Sequence, residues 1–387
     1  MGRAGVAYGS GEISAAERPA PAFDRFASWP RAWALAALVA ALALLVASAL
    51  VPLTVGRGEA AKPPSLVVAR NAARERVRDD DLKLYDTAIA RISRGENYYS
   101  FIVAEHRRAH YPVRPGVAVR LPTLAYLDAW MGVNGDAPAP LAMLAAVALM
   151  GAVIRAWHRR LGEEACSERQ RLFGTALMFL GASLGLNRYY FVLHELWAGM
   201  LIALSLGLHR PGRWWGAWAA AALALAIREH SLPYVLLMLA MAGWRRNWRE
   251  AAAWGLLVVG FGAGLAWHLH LIAAQVLPSD PVGPSWLALR GLGGWLSDVV
   301  LSSNLRFLPH WLAGPLVVLM MVGWAGWRSP CGLTATLLFA GYGVLFAIAG
   351  RNDNFYWGAM IAPAMFVGLA FAPMAIGSLV AGAARAR

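Results

Sequence analysis

Residues 213–246 read RWWGAWAAAALALAIREHSLPYVLLMLAMAGWRR. Two apolar runs, 213–228 and 231–244, carry arginines at their outer ends and are separated by Arg228, Glu229 and His230. A helix that is apolar all round has no face to offer water, so such runs belong in a membrane or in the centre of a large protein. The second run rises about 21 Å at 1.5 Å per residue, less than the roughly 30 Å of a bilayer's hydrocarbon core. The charged triplet is therefore drawn towards membrane depth, or the bilayer thins around it. Neither case is that of an ordinary solvated loop.

The rest of the chain follows the same pattern. It is 59% hydrophobic with a mean hydropathy of +0.49, which excludes a soluble globule. Further apolar runs lie at 33–54, 137–156, 172–187, 192–208, 251–276, 310–327, 331–350 and 356–381. That makes about ten spans, an even number that puts both termini on one side. Arginine in short loops marks the cytoplasm. Arg25 and Arg31, then Arg155, Arg159 and Arg160, then Arg210 and Arg213, then Arg245 and Arg246, then Arg328 and Arg385 all fall on alternate sides consistent with cytoplasmic termini. The opposite loops are 57–136, 188–191, 228–231, 277–309 and 351–355. The first is itself rich in arginine, but loops above about 60 residues translocate largely regardless of charge.

The expected fold is thus all-α: a polytopic membrane protein of about ten transmembrane helices whose long first extracytoplasmic loop bears juxtamembrane helices. Residues 1–32 read as a disordered cytoplasmic tail, rich in Gly, Ala, Pro and Arg without periodicity. Residues 33–387 form a single transmembrane domain that includes the outer loops 57–136 and 277–309. The net charge of +13 is topology signal rather than a nucleic-acid footprint. Cys166 and Cys331 both fall on the cytoplasmic side, which supports neither an extracytoplasmic disulfide nor a cysteine metal site.

Within 57–136, Leu82, Tyr85, Ile89 and Ile92 recur at helical spacing, Asp81 stands where an N-cap carboxylate belongs, and Gly95 ends the helix. Residues 121–133 are apolar but too short to cross, and predict a helix on the membrane surface or dipping into it.

Four polar clusters reach the outer side: Asp79-Asp80-Asp81, His194-Glu195, Arg228-Glu229-His230 and Arg351-Asn352-Asp353. Charge at a membrane span is costly and commonly serves substrate handling. The aspartates could supply a general base or simply cap a helix. Glu195 could act as a second acid or pair with Arg188. Arg228 and Glu229 could satisfy one another, or Arg228 could receive a phosphate, for which the guanidinium fork is well shaped. Arg351 offers the same chemistry. His194-Glu195 lacks the second histidine of a zinc helix motif, and His268 and His270 point to different faces of one helix.

The order of these features resembles that of the GT-C superfamily of polytopic glycosyltransferases, which includes protein O-mannosyltransferases and lipid A aminoarabinose transferases. The resemblance runs from about residue 33 to 370. It rests on Asp81-x-x-x-Tyr85 in the first outer loop, Gly95 with Tyr98-Tyr99, the turn Pro122-Thr123-Leu124, Arg188 to Glu195, Arg228-Glu229 before Leu232-Pro233, and Arg351 with Tyr356 and Pro363. Three aspartates stand where the family has a paired Asp-Glu, and Pro122-Thr123 where many members have two prolines.

The resemblance implies an extracytoplasmic transferase of the bacterial inner membrane that moves a sugar from a polyprenyl-phosphate carrier to a hydroxyl of a lipid, glycan or protein. It implies catalytic roles for Asp81 or Asp80 and for Glu195. Substrate contacts would come from Arg228, Glu229, His194, Arg351 and Asp353. A divalent metal is used by some members and not by others. The rival readings are a lipid-linked oligosaccharide polymerase or ligase, and a transporter or flippase. A transporter should show charges midway along several spans and internal repeats, whereas here the charges gather at one face.

Overall fold

The computed structural model describes residues 23–55, 59–60, 80–135, 137–164 and 167–385. Apart from a two-residue ladder between Thr54–Val55 and Glu59–Ala60, the described chain is helical. Helices Arg31–Leu50, Pro140–Glu163, Trp248–Ala273 and Pro330–Ile348 are long and apolar enough to cross a membrane. A fifth span is formed if Ala362–Ala370 and Ala372–Ala383, bent by 57° from one another, count as one. Pro363 and Pro373 open these two pieces, where the missing N–H groups break the helical ladder.

The other five expected runs hold shorter helices, Glu168–Ala182, His194–Leu208, Trp215–Ile227, Leu232–Trp244 and His310–Gly326. Length alone does not qualify them as spans. Large apolar side chains such as Leu144, Leu256, Val259 and Trp267 stand exposed on the long helices, as lipid-facing residues would.

Three sequence expectations change. Residues 23–30, assigned to the tail, pack against the bundle. Phe23 stacks on Phe371 at 4.1 Å, Phe26 is buried, and Arg25 donates to the Trp327 carbonyl. Two aromatic side chains in this short stretch gain enough apolar contact to hold it. The rest of the tail, residues 1–22, lies outside the described residues, as does Cys166. Cys331 is buried as a free thiol. The outer loop 277–309 contains a helix, Gly291–Leu301, with Leu296, Asp298 and Val299 fully buried. Finally, Asp81 lies in the first turn of helix Asp80–Ser93 rather than at its N-cap.

The polar segment 80–133 folds onto residues 275–298. Arg107 grips Asp280 with two hydrogen bonds of 2.8 Å and also donates to the Gln275 carbonyl. The Gly283 amide donates to the Arg114 carbonyl at 2.7 Å. Arg290 likewise grips the fully buried Asp298, at 2.7 and 3.1 Å, and its backbone N–H donates to the Ala347 carbonyl. These pairs fix residues 275–298 against the end of helix Pro330–Ile348, where Gly350 takes a left-handed turn (φ 94°) that delivers Arg351.

Candidate functional site

Helix Asp80–Ser93 buries Leu82, Ile89 and Ile92, as their spacing predicts, and Gly95 (φ 87°) terminates it. At the edge of that same face, one turn apart, Asp81 and Tyr85 reach the cavity described below. The next helix, Tyr98–Arg108, is capped by Asn97, whose side chain accepts from the Tyr99 amide at 2.9 Å. Tyr98 then donates its hydroxyl to the Arg120 carbonyl at 2.8 Å, while the Tyr126 hydroxyl accepts from the Tyr98 amide. One residue earlier, His268 Nε2 meets the Val119 carbonyl at 3.1 Å and its Nδ1 meets the Tyr99 hydroxyl at 3.0 Å. Donation from Nε2 to the carbonyl leaves Nδ1 to accept from the tyrosine, so both ring nitrogens are satisfied. His268 is a packed residue, and His270 is exposed on another face of its helix. Together these contacts set the backbone that carries Arg120.

Arg120 is the centre of the polar network. Its Nε donates to the Tyr85 hydroxyl at 3.2 Å, and its Nη1 stands 4.0 Å from Glu229 Oε1. Glu229 is also paired with Arg228 and with His230 Nδ1, the latter at 3.0 Å. Arg228 in turn faces Glu195, Nε to Oε1 2.7 Å. That last contact pairs charges without hydrogen-bond alignment, and neither Glu195 oxygen has a donor among the described residues. Burial opposes ionisation of Glu229, but Arg228, His230 and Arg120 hold its carboxyl well below the usual range. Burial keeps the Tyr85 phenol protonated by pushing its pKa up.

These groups border a cavity of about 360 Å³. Asp81, Tyr85, Arg120, Glu229, His230, Arg351 and Asp353 all line it, from segments far apart in sequence. Arg351 Nε donates to Asp353 Oδ1 at 3.2 Å, and its backbone N–H donates to the Asn354 side chain. Trp357 packs on His230, ring centroids 4.5 Å apart. Beside this cavity runs a groove of about 480 Å³ walled by Leu184, Leu193, Leu196, Leu301 and Phe355, with Arg306 at its rim. Asp81, Tyr111, Asp353 and Tyr356 line both. A polar chamber with two guanidinium groups and three carboxylates thus adjoins a more apolar groove. Such a pair of environments suits a ligand with a charged head and a hydrocarbon body.

Asp81, Glu229, Arg351 and Asp353 are therefore brought together. Glu195 and Arg228 are not on the cavity wall: both are fully buried, and Arg120 is the arginine of this network that reaches the wall. Glu195 pairs with Arg228 and not with Arg188. His194 is buried beside Tyr85 and borders only a small neighbouring void. Asp79 and the side chain of Asp80 lie outside the described residues. No group of three or more His, Cys, Asp or Glu side chains is placed to hold a metal ion among the described residues.

Sequence reasoning missed Arg120 and Trp286 as wall residues, and named Tyr85 and Tyr356 only among the residues of the resemblance. The available signal was an arginine directly before the apolar stretch 121–133, within a loop so rich in arginine that it did not stand out. No protein-family model matches the chain, and it matches no curated protein and no solved structure.

Proposed function

We propose that the protein is a GT-C-like glycosyltransferase that transfers a sugar from a polyprenyl phosphate to an acceptor hydroxyl at the extracytoplasmic membrane face. The observation that carries this reading is the shared wall. Asp81 stands where a chamber holding Arg120 and Arg351 joins an apolar groove. The groove would take the first isoprene units, and the chamber the phosphate and sugar.

Asp81 would accept the proton of the acceptor hydroxyl as its oxygen attacks the anomeric carbon. The bond from that carbon to the phosphate oxygen breaks, and the lipid phosphate leaves with the bonding pair. Arg351 and Arg120 are the cations available to its growing charge, with Glu229 and Tyr85 orienting Arg120. Fixed donors of this kind are effective because they need no reorganisation as charge develops.

In the same reading the five shorter apolar helices complete about ten spans, with both termini cytoplasmic. Trp215–Ile227 and Leu232–Trp244, of 13 residues each, rise only about 20 Å and so hold the Arg228 to His230 segment below the outer surface.

The test is release of lipid phosphate by the purified protein from a panel of polyprenyl-monophosphate sugars. Release from at least one donor supports the reading. Consumption of a pyrophosphate-linked glycan alone would replace it with the polymerase reading, and absence of any donor turnover would remove it.

A further inference from the structure

Helix His194–Leu208 begins beside Tyr85, and helix Trp215–Ile227 leads directly into the segment whose Glu229 and His230 line the polar chamber. At their other end, about 20 Å away along the helix axes, lies a second charged feature. It is an open cleft of about 770 Å³ lined by Arg159, Arg171, Arg210 and Arg213 against a single carboxylate, Glu163. Two of these arginines are spent on the protein. Arg210 pairs with Glu163 and donates to the Gly207 and His209 carbonyls at 2.8 and 2.9 Å. Arg171 donates to the His158 carbonyl at 3.1 Å and reaches Glu168 at 3.4 Å. Arg159 and Arg213 are exposed and make no hydrogen bond or ion pair within 4 Å among the described residues, although Arg213 acts on Glu163 at longer range.

The cleft is firmly built. The fully buried Glu250 holds His209 at 2.7 Å, and Arg160 donates to the carbonyls of Leu206 and His209 from beneath. Leu172 and Phe173, in the second turn of helix Glu168–Ala182, and Trp215, the first residue of helix Trp215–Ile227, are each more than half exposed and adjoin the lining residues Arg171 and Gly216 in sequence. Cytoplasmic orientation explains why arginines occur in these loops. It does not explain why four gather around one cleft with two making no close contact to the protein.

We propose that this cleft binds the headgroup of an anionic phospholipid, with Arg159 and Arg213 taking phosphate oxygens and Leu172, Phe173 and Trp215 meeting the acyl chains. Guanidinium groups suit phosphate by geometry as well as charge, and basic pockets between membrane helices are suited to such headgroups. Because the two free arginines come from separate segments, a headgroup with two phosphates fits better than one with a single phosphate. The proposal does not depend on the transferase reading.

The test is native mass spectrometry of the delipidated full-length protein with diphosphatidylglycerol, phosphatidylglycerol or phosphatidylethanolamine. The expected order of retention is diphosphatidylglycerol, then phosphatidylglycerol, with phosphatidylethanolamine lost. The R159A/R213A variant should bind diphosphatidylglycerol about tenfold more weakly. An R31A/R249A variant, which removes the same charge from exposed positions outside the cleft, should bind it as wild type does. If R159A/R213A does not fold, R159K/R213K keeps the charge and should still weaken retention, since lysine lacks the two-pronged fork. Equal loss in both alanine variants, equal retention of phosphatidylethanolamine, or displacement of the lipid by equimolar inorganic phosphate would overturn the proposal.

Discussion

Glu195 and Arg228 meet at 2.7 Å with side chains 1% and 0% exposed, and neither borders the cavity that their neighbours line. Arg228 also holds Glu229, which does border it and which faces Arg120. Charge therefore alternates from the interior to the cavity wall: Glu195, Arg228, Glu229, Arg120. Each member compensates the next, and the last two, Glu229 and Arg120, border the cavity.

The position of Arg228 gives the first prediction. Removing one partner of a buried ion pair leaves an uncompensated charge and typically costs about 3–5 kcal/mol. Arg228→Ala should lower the thermal unfolding midpoint markedly, and Glu195→Gln combined with Arg228→Met should recover much of that loss. An Arg228→Ala protein that unfolds at the wild-type temperature yet fails to bind donor would instead make Arg228 a ligand contact.

Asp81 and Asp353 both line the polar chamber and the apolar groove, and Asp353 is already paired with Arg351, which leaves Asp81 as the candidate base. Loss of a general base typically lowers rate by about 10²–10⁴-fold. Asp81→Asn should therefore lose at least a hundredfold in turnover of a polyprenyl-phosphate sugar while its affinity for the donor, measured by ligand-induced thermal stabilisation, stays within a few fold. Retained turnover would move the role elsewhere, with Asp80 next to be substituted.

Arg120 and Arg351 reach the chamber by different routes, one held by Tyr98 and Tyr85, the other delivered by the turn at Gly350. Taking away a donor aimed at developing charge costs about 3 kcal/mol of barrier, roughly a hundredfold in rate. Arg351→Ala is 34% exposed at its side chain and should lose turnover with little change in stability. Arg120→Ala should lose both, because its guanidinium also compensates Glu229. The two effects are separated by measuring single-turnover rate and unfolding midpoint on the same preparations.

What could be read from the sequence follows from range. The helix over Asp80–Ser93 was legible because Leu82, Ile89 and Ile92 declare one face within a few turns. The charged triplet at 228–230 was legible because it interrupts apolar runs. Arg120 was not, since what distinguishes it from Arg107, Arg108 or Arg114 is a hydroxyl from Tyr85 and a carboxylate from Glu229, 109 residues away. The helix Gly291–Leu301 was hidden by its three glycines, which weaken helix propensity; two of them, Gly293 and Gly294, press close against Val51 and the Phe346 carbonyl. Phe23 and Phe26 looked like part of a structureless tail because their partners, Phe371 and Trp29 among them, give no local periodicity.

Acid should weaken the site from one identifiable residue. His106 is 4% exposed on the cavity wall, and burial, partly offset by the Pro112 backbone, lowers its pKa from 6.5 to about 4. The folded protein keeps it neutral, whereas the unfolded chain takes up a proton below about pH 6.5. Stability is then intact above pH 6.5 and falls as pH drops towards 4, by up to about 1.4 kcal/mol per unit. Glu229 and His230, both shifted downward, act in the same direction at lower pH and below 6.5 respectively. His106→Gln should flatten the loss between pH 6.5 and 5 relative to wild type in thermal unfolding. Parallel curves would assign the acid sensitivity to the other groups.

The segment Asn352–Met360, which carries Asp353 and Tyr356 to both cavities, is positioned by contacts that leave no room for a side chain. A Cβ on Gly358 would stand 2.0 Å from the Asp298 carbonyl oxygen, and one on Gly199 would stand 2.0 Å from the Ala359 carbonyl oxygen. Both obstacles are backbone, so neither can swing aside as a flexible side chain would. Close backbone approach through small residues is how membrane helices gain packing where the hydrophobic effect gives little. Gly358→Ala must push the segment off helix Gly291–Leu301, shifting Tyr356 and Asp353 at the junction of chamber and groove. A displacement near 1 Å at a reacting site can lower rate by about a hundredfold. The expected result is a Gly358→Ala protein that inserts and purifies but has lost most of its turnover, with Gly377→Ala, whose Cβ meets nothing within 4 Å, as the matched control. Equal activity in the two variants would mean that the position of this segment does not govern the chemistry, and would weaken the assignment of the junction as the reaction centre.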